Sequence, residues 1–559
     1  MKRNRGPMSF ALLATVPSLF PLIAGAPAGA QEVAWKEELR GDIRNVLRNH
    51  YLRDLASDSR SIDCLAERGD TCFGGDHEDW RCRRVYDCRT PAARLQFVME
   101  LIGAVDDRPD DPFVVAHAVY GLARVGRTQN AVGQARRCRA AEWWCDLVMG
   151  LALHRAGRSA EAGERYRSGL QGADAELACR LTDIRELLDG SDGASYRRLP
   201  CPGPERTEFE ERFWWLSDPL LSRPGNDRRS EHLTRRFELL LHERLRRAVY
   251  NRRTLPTYHI DVTRRGHPDS WKPRGRDLET WKSERGARYR FTPASRVGEG
   301  IEALRYELES SRWDEGFTPT EYGTVFEVPG QVARFKDGDS LVLAIAADLD
   351  AVPFRSPPTR FIASGGPTGF FAEHRFPIGD LSPSIATSVA SVPLLAAIEA
   401  FGRGGAVARM RQGVMPLDTG RLVLSDPLLV DPLRPALPES RAEAVDAMLP
   451  QTRIGSRNEM VAYFEVYGLE AGQMMRVSLA LEREGAGMVT RVLRSLSGRE
   501  AAPAPSVAWT EPASGPTHPM ALSIDVGALE DGNYDLKIEV AGPDGSVAGT
   551  VRRFSVGGR

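Results

Sequence analysis

The repeat distance of the apolar residues changes once along this chain, and that change governs what it can fold into. Up to about residue 250 the apolar side chains recur every three or four positions, which lines up one face of an α-helix. From Phe317 onward they alternate, the spacing of strands that bury one face. Helix stripes and strand faces must both be covered, so the chain divides into a helical half and a strand-rich half. At 559 residues it is too long for one core, and three or four domains follow from length alone. With 75 Lys and Arg against 76 Asp and Glu, the formal charge of −1 gives no global field for nucleic acid, and no nucleic-acid partner is expected. The cations are mostly arginine, as phosphate recognition or simply a GC-rich genome would produce.

Residues 31–56 read as a helix, with Val33, Leu39, Ile43, Leu47 and Tyr51 at helical spacing, and 57–90 as loop. From 91 to 190 helix follows helix with a weak internal repeat. Segments 111–138 and 143–170 each run from an apolar helix through a Gly-Arg turn (Gly126-Arg127, Gly157-Arg158) into a second helix opening on Ala131 or Ala162. Gly150, Leu153, Gly157, Ala162 and Tyr166 stand at spacings that resemble tetratricopeptide helical hairpins. That resemblance implies a stack whose concave face holds a peptide. A helical domain with a purely structural role fits the same pattern.

The first thirty residues read as an export leader. Lys2, Arg3 and Arg5 precede an apolar run over 10–24, and Ala28-Gly29-Ala30 is a small-residue cleavage site. No later stretch reaches the roughly 18–20 apolar residues of a membrane span, so no transmembrane segment is expected after the leader. The expected location is exported, periplasmic or extracellular, beginning near Gln31. All eight cysteines (Cys64, Cys72, Cys82, Cys88, Cys138, Cys145, Cys179 and Cys201) lie in one region, with neither C-x-x-C spacing nor zinc-finger histidines. They read as up to four disulfides of an exported domain, the simplest pairs being local ones within 64–88 and Cys138 with Cys145.

Residues 211–250 join the two halves. A tryptophan pair leads to an Asp-Pro turn and a Pro-Gly-Asn-Asp break. An amphipathic helix follows over about 228–249, capped by Asn226 or Asp227, with Leu233, Phe237, Leu240, Leu241, Leu245 and Ala248 as its stripe. Phe213-Trp214-Trp215, Asp218-Pro219, Asn226, Glu231 and Arg235 resemble the characteristic run of the GWxTD domain, found in exported bacterial proteins of undefined biochemical role. Arg265-Gly266-His267-Pro268 is similar to a corner of that family, whereas its Gly-Trp-x-Thr-Asp turn is absent, with 255–258 in its place. The family supplies no reaction.

Residues 273–313 read as irregular. Beyond them, strands are expected over 326–335, 340–348, 360–364, 370–375, 392–401 and 406–414, with turns at 336–339 and 402–405. A second set covers 422–430, 459–467, 475–483, 488–493, 520–526, 534–540 and 547–556. The turn–strand–turn–strand ending from Glu530 resembles that of immunoglobulin-like sandwiches. The expected fold is thus a multidomain α and β chain. Its parts are a leader (1–30), a disulfide-bonded tetratricopeptide-like helical domain (31–198) and a small α+β GWxTD-like segment with the long helix (199–313). An antiparallel β-sandwich (314–420) and an immunoglobulin-like sandwich (421–559) complete it.

No catalytic constellation stands out. His242-Glu243 has Arg246 where H-E-x-x-H needs its second histidine, and there is no G-x-S-x-G elbow, phosphate loop or dinucleotide fingerprint. No metal or cofactor is expected; Asp76-His77-Glu78-Asp79 lacks calcium-loop spacing. The expected function is a non-enzymatic envelope scaffold that binds a protein or peptide. Trp214, Trp215, Asp218, Asn226, Glu231 and Arg235 are its candidate binding residues, and the tryptophans read as an aromatic plug between domains. Two other functions fit the same chain. One is a divergent hydrolase with Trp214, Asp218, Glu231 and His259 or His267 gathered within about 4–6 Å at the domain junction. The other is a carbohydrate-binding or adhesive surface protein with exposed aromatics.

Overall fold

Where the sequence spaces its apolar residues by three and four, the chain is helical, and where it alternates them the chain is sheet. The computed structural model describes residues 70–73, 81–84, 91–188, 190–243, 260, 262–264, 270–274, 277–281, 325–350, 352, 359–366, 369–377, 380, 382–402, 406–434, 436–455, 457–484 and 506–557. The leader, the helix over 31–56, Cys64, Cys88, His259, His267 and the strand over 488–493 lie outside them.

Two helix pairs follow α1 (Pro91–Asp107): α2 (Pro112–Arg124) with α3 (Thr128–Ala135), and α4 (Glu142–Arg155) with α5 (Ser159–Gly172). Asp111 starts α2 by accepting from the Phe113 and Val114 N–H groups, with Pro112 in the first turn where no donor is needed. In the second pair a Cβ on Gly150 would lie 2.9 Å from the Tyr166 ring, so glycine sets how closely α4 and α5 approach. Short helices α6 (Ala175–Thr182) and α7 (Gly190–Tyr196) follow, then α8 (Pro204–Ser217) and α9 (Asp227–Glu243). Gly225, at φ +85° with Ala160 against it, turns the chain into α9, and Asn226 caps that helix by accepting from the Arg229 N–H at 2.7 Å. Disulfides Cys138–Cys145 and Cys179–Cys201 tie the helical region, and no described cysteine is free.

The strand-rich half contains four sheets of note. Strands β5 (Val325–Glu327), β8 (Thr359–Gly366), β9 (Gly369–Arg375), β11 (Leu394–Phe401) and β12 (Val407–Val414) form a five-stranded sheet in the order β5-β12-β11-β8-β9. It shares a core containing Leu343, Ile345, Phe361, Ala396 and Ile398 with a three-stranded sheet of β6 (Gly330–Asp337), β7 (Ser340–Ala347) and β10 (Ser384–Ala390). Downstream, β16 (Glu459–Tyr467) pairs with β13 (Val423–Leu424), β14 (Leu428–Val430) and β19 (Thr517–Asp525). That sheet packs through Phe464, Met475, Val477, Leu536 and Ile538 on a last sheet of β15 (Arg453–Gly455), β21 (Val547–Val556), β20 (Gly532–Ala541), β17 (Met474–Arg483) and β18 (Ser506–Pro512).

These sheets stack on one another and on the helices because their middle strands are buried on both faces. In β11, Leu394, Ala396, Ile398 and Ala400 face the sheet core, while Leu395 and Ala397 face Phe213, Trp214, Trp215 and Leu216 of α8. In β16, Phe464 and Val466 face one core, and Val461 and Tyr463 meet Ala333 and Phe335 of β6. This second seam is pinned by polar groups. Arg334 donates through Nε and Nη2 to Asp426 at 2.7 and 2.8 Å, and Arg552 donates through Nη2 to the Val332 carbonyl at 2.9 Å.

Several expected elements differ. A short strand pair, β1 (Asp70–Phe73) with β2 (Arg81–Arg84), puts Cys72 opposite Cys82 within the stretch expected as loop, the alternation there being too short to stand out. A hairpin of β3 (Ser270–Arg274) and β4 (Asp277–Trp281) occupies part of the stretch read as irregular. The strand expected over 326–335 is two, broken at Val328-Pro329, because proline cannot donate to a ladder. Ser384–Ala390 and Ser506–Pro512 are strands, and Arg441–Asp446 a short helix (α10), none of them expected; the first two are polar edges.

Candidate functional site

The six residues singled out in the joint fall into two neighbouring arrangements. The first surrounds α9, which presents buried polar side chains at 231, 234, 235 and 238. Glu231 bonds His154 Nε2 through Oε2 at 2.6 Å and accepts from Arg235 Nε through Oε1 at 2.5 Å. The other ring nitrogen of His154 meets Ser230 Oγ at 2.7 Å. Arg235 also donates to the Thr263 carbonyl at 3.1 Å. Further along, Arg155 grips Glu238 through Nε and Nη2, and Tyr166 shares a 2.7 Å hydrogen bond with Thr234. Burial would raise the Glu231 carboxyl, but Arg235, Arg155 and His154 outweigh it and hold the group well below the usual range. Trp144 closes the arrangement against Phe237, edge to face with ring centroids 5.2 Å apart.

The second arrangement joins the helices to the five-stranded sheet. Trp214 makes its polar and ring contacts within the helical side, its ring 5.0 Å from His232 and its carbonyl accepting from Asn226 Nδ2 at 2.5 Å. Burial and the surrounding Arg236, Arg228 and Arg235 keep His232 neutral, well below an ordinary histidine. Trp215 reaches across and donates through Nε1 to Ser364 Oγ of β8 at 3.1 Å. The carboxylate of Glu399, fully buried on β11, accepts from the Leu221 N–H at 2.8 Å, the Ser222 N–H at 3.0 Å and the Ser222 hydroxyl at 2.5 Å. Arg411 stands 3.5 Å from it. Arg409 donates to the Pro219 carbonyl at 2.7 Å and to Glu327 at 2.6 Å. The Asp218 side chain accepts from the Leu220 N–H at 3.1 Å. Loss of water raises its carboxyl well above the ordinary range; Asp227 and Glu399 add to this and Arg411 opposes it.

Asp218 and Glu231 therefore work with different partners, Asp218 toward Glu399 and Arg411 and Glu231 toward His154 and Arg235. Sequence reading had not singled out His154, Thr234, Glu238, Ser364, Glu399, Arg409 or Arg411. A clue was present: Glu399 is the one charge in the run Leu394-Leu395-Ala396-Ala397-Ile398-Glu399-Ala400-Phe401, and Arg409 and Arg411 alternate in the next strand. A charge inside an apolar strand implies a partner across the face it lies on. Among the described residues no group of three or more His, Cys, Asp or Glu is arranged to hold a metal, and no helix is long and apolar enough to cross a membrane.

Among the described residues, a cavity of about 310 Å³ lies between the 431–438 loop and the ends of β16 and β19, lined by Asp431, Arg434, Leu437, Glu459 and Ser523 among others. Leu433, on the same loop, is 82% exposed.

No protein-family model and no curated protein matches the chain. Among solved structures, red sea bream transglutaminase aligns with 41% of this chain and 31% of its own, at 10% identity and a TM-score of 0.14. Escherichia coli alpha-2-macroglobulin activated by porcine elastase aligns over 43% of this chain and 23% of its own, at 10% identity and a TM-score of 0.16. The FN1-FN3 domains of chicken CNTN1 align over 42% of this chain and 68% of their own, at 11% identity and a TM-score of 0.12. This chain thus spans less than a third of the transglutaminase's length, and likenesses of this size carry no functional argument.

Proposed function

We propose that the protein is an exported cell-envelope scaffold that binds another protein or a peptide, with tetratricopeptide-like hairpins joined by a divergent GWxTD-like segment to a β-sandwich and an immunoglobulin-like sandwich. The observation that carries this reading is the layering: helices, sheet, sheet, sheet and sheet share buried seams, and the helix–sheet seam and the β6–β16 seam are also pinned by side chains that bond across them. In this reading Trp214, Trp215, Asp218, Asn226, Glu231 and Arg235 are the joint of a stiff spacer, and partners meet its outer surfaces. The exposed Leu433 and Leu437 beside the surface cavity are the outer apolar anchors. Disulfides Cys138–Cys145 and Cys179–Cys201 suit an oxidising compartment.

The test is affinity capture from envelope extract with the full exported protein as bait and with a Leu433→Asp, Leu437→Asp variant beside it. A partner that is held by the first and released by the second supports the reading. Recovery of no partner above a scrambled-bait control refutes the scaffold function, and equal recovery by both baits refutes the assignment of the surface.

A further inference from the structure

We infer that α9 is an internal ligand of the helix pairs, seated in a helix-recognition face that a partner helix of the same polar register also fits. This rests on the binding reading above and names the class of partner. α9 runs antiparallel to α4: Phe237 meets Trp144 near the start of α4, and Glu231 meets His154 near its end. Its bonds to the face are read by side chains in sequence. Glu231 is taken by His154, Thr234 by Tyr166 of α5 and Glu238 by Arg155, while Arg236 donates to the Arg180 carbonyl of α6 at 3.0 Å. The readable code is acid, hydroxyl, acid at positions i, i+3 and i+7 of one helix, placed on one side by the 3.6-residue turn.

The chemistry of the seam separates it from an ordinary core. The cores inside the two sheet pairs are filled by Leu, Ile, Val, Ala, Phe and Met. Around α9, by contrast, Ser230, Glu231, Thr234, Arg235 and Glu238 are all buried. Burying ionised groups costs desolvation that apolar side chains of similar size avoid, and what it returns is discrimination of partner and register. A face that recognises its occupant in this way accepts any amphipathic helix that offers the same three groups, and α9 excludes such a helix by occupying the face at high effective concentration. The seat is coupled to the joint, since Asn226 at the head of α9 donates to the Trp214 carbonyl.

The test uses the full oxidised protein with Thr234→Ala, which removes one hydroxyl contact from the internal helix and leaves its apolar contacts, and separately with Glu231→Ala and Glu238→Ala together. A fluorescent, end-capped peptide of residues 227–243 is titrated against each and followed by anisotropy. Saturable binding is expected for both variants, at least about ten-fold tighter than for the wild type, whose face is filled. A peptide that itself carries Glu231→Ala and Glu238→Ala is expected to bind at least about ten-fold more weakly. Circular dichroism establishes that the Thr234→Ala protein keeps its helices, so the experiment stands if the double variant fails to fold. No binding to Thr234→Ala at about 1 mM peptide, the order of an intramolecular effective concentration, overturns the inference, as does equal binding of the two peptides. Either outcome leaves capture through Leu433 and Leu437 unaffected, so the two failures are distinguishable.

Discussion

Glu399 is the most exacting test of how the helical and strand-rich halves are joined. Its carboxylate is fully buried and satisfies two backbone N–H groups and a hydroxyl of the 221–222 turn, with Arg411 nearby. Glu399→Ala strands all of them in a water-poor seam. Hydrogen bonds to a charged acceptor contribute about 1.5–3 kcal/mol each, and removing one partner of a buried pair typically costs about 3–5 kcal/mol in total. Because these effects overlap rather than add, the expected loss is about 4 kcal/mol. Glu399→Gln keeps the shape and one carbonyl acceptor, and about 2 kcal/mol is expected.

The assay is equilibrium urea unfolding of the oxidised protein, followed by tryptophan fluorescence because Trp214 and Trp215 lie at this seam. With a slope of about 3 kcal/mol per M, a loss of about 4 kcal/mol lowers the midpoint by roughly 1.3 M. Glu399→Ala with Arg411→Ala should cost less than the sum of the two single changes, since the double variant leaves no unpaired buried charge. A Glu399→Ala midpoint within about 0.3 M of wild type would refute the reasoning, because the turn would then hold without its acceptor.

Three further outcomes follow from the same physics. His117, buried on α2, is held neutral by burial at about 4 instead of 6.5; the folded form resists protonation, so stability is complete above 6.5 and falls by roughly 3 kcal/mol on acidification toward pH 4. Urea midpoints at pH 7, 5.5 and 4.5 should show that fall in the wild type and a smaller one in His117→Phe. Asp218 shifts in the opposite sense: its raised carboxyl stabilises below the ordinary carboxylate range and loses that contribution as pH rises through its folded value, so Asp218→Asn should lessen the fall of melting temperature as pH rises out of the ordinary carboxylate range. Cys179→Ala with Cys201→Ala opens a 22-residue closure and should cost about 3 kcal/mol by chain entropy, more than opening the seven-residue Cys138–Cys145 closure, as calorimetry can compare.

The change of period was readable because each half has one face to bury and the residues show it. At the α4–α5 contact Gly150 lies against the Tyr166 ring and Gly169 against Leu147, so glycines there let the two helices approach closely. What could not be read was which second face each middle strand covers. In β11 and β16 both faces are apolar, so alternation vanishes and the run looks like any buried strand. The polar edges Ser384–Ala390 and Ser506–Pro512 were missed for the opposite reason: pairing on one side only leaves little apolar pattern to detect.

The joint is the place where composition invited a site and geometry explains the same residues by folding. Asn226 caps α9 with one end of its amide and ties the Trp214 carbonyl with the other, which needs both a donor and an acceptor and so excludes aspartate. Glu231 must be an acid one turn before Arg235, because it has to hold that guanidinium and His154 at once. Trp215 needs its ring nitrogen as well as its bulk, since the nitrogen meets Ser364 while the ring fills the seam under Ile362 and Leu395. Asp218-Pro219 turns the chain so that the Leu221 and Ser222 N–H groups face Glu399. Trp215, Asp218, Asn226 and Glu231 are thus each held by side-chain bonds within the chain, and Trp215 and the 221–222 turn after Asp218-Pro219 bolt the helical body to a sheet.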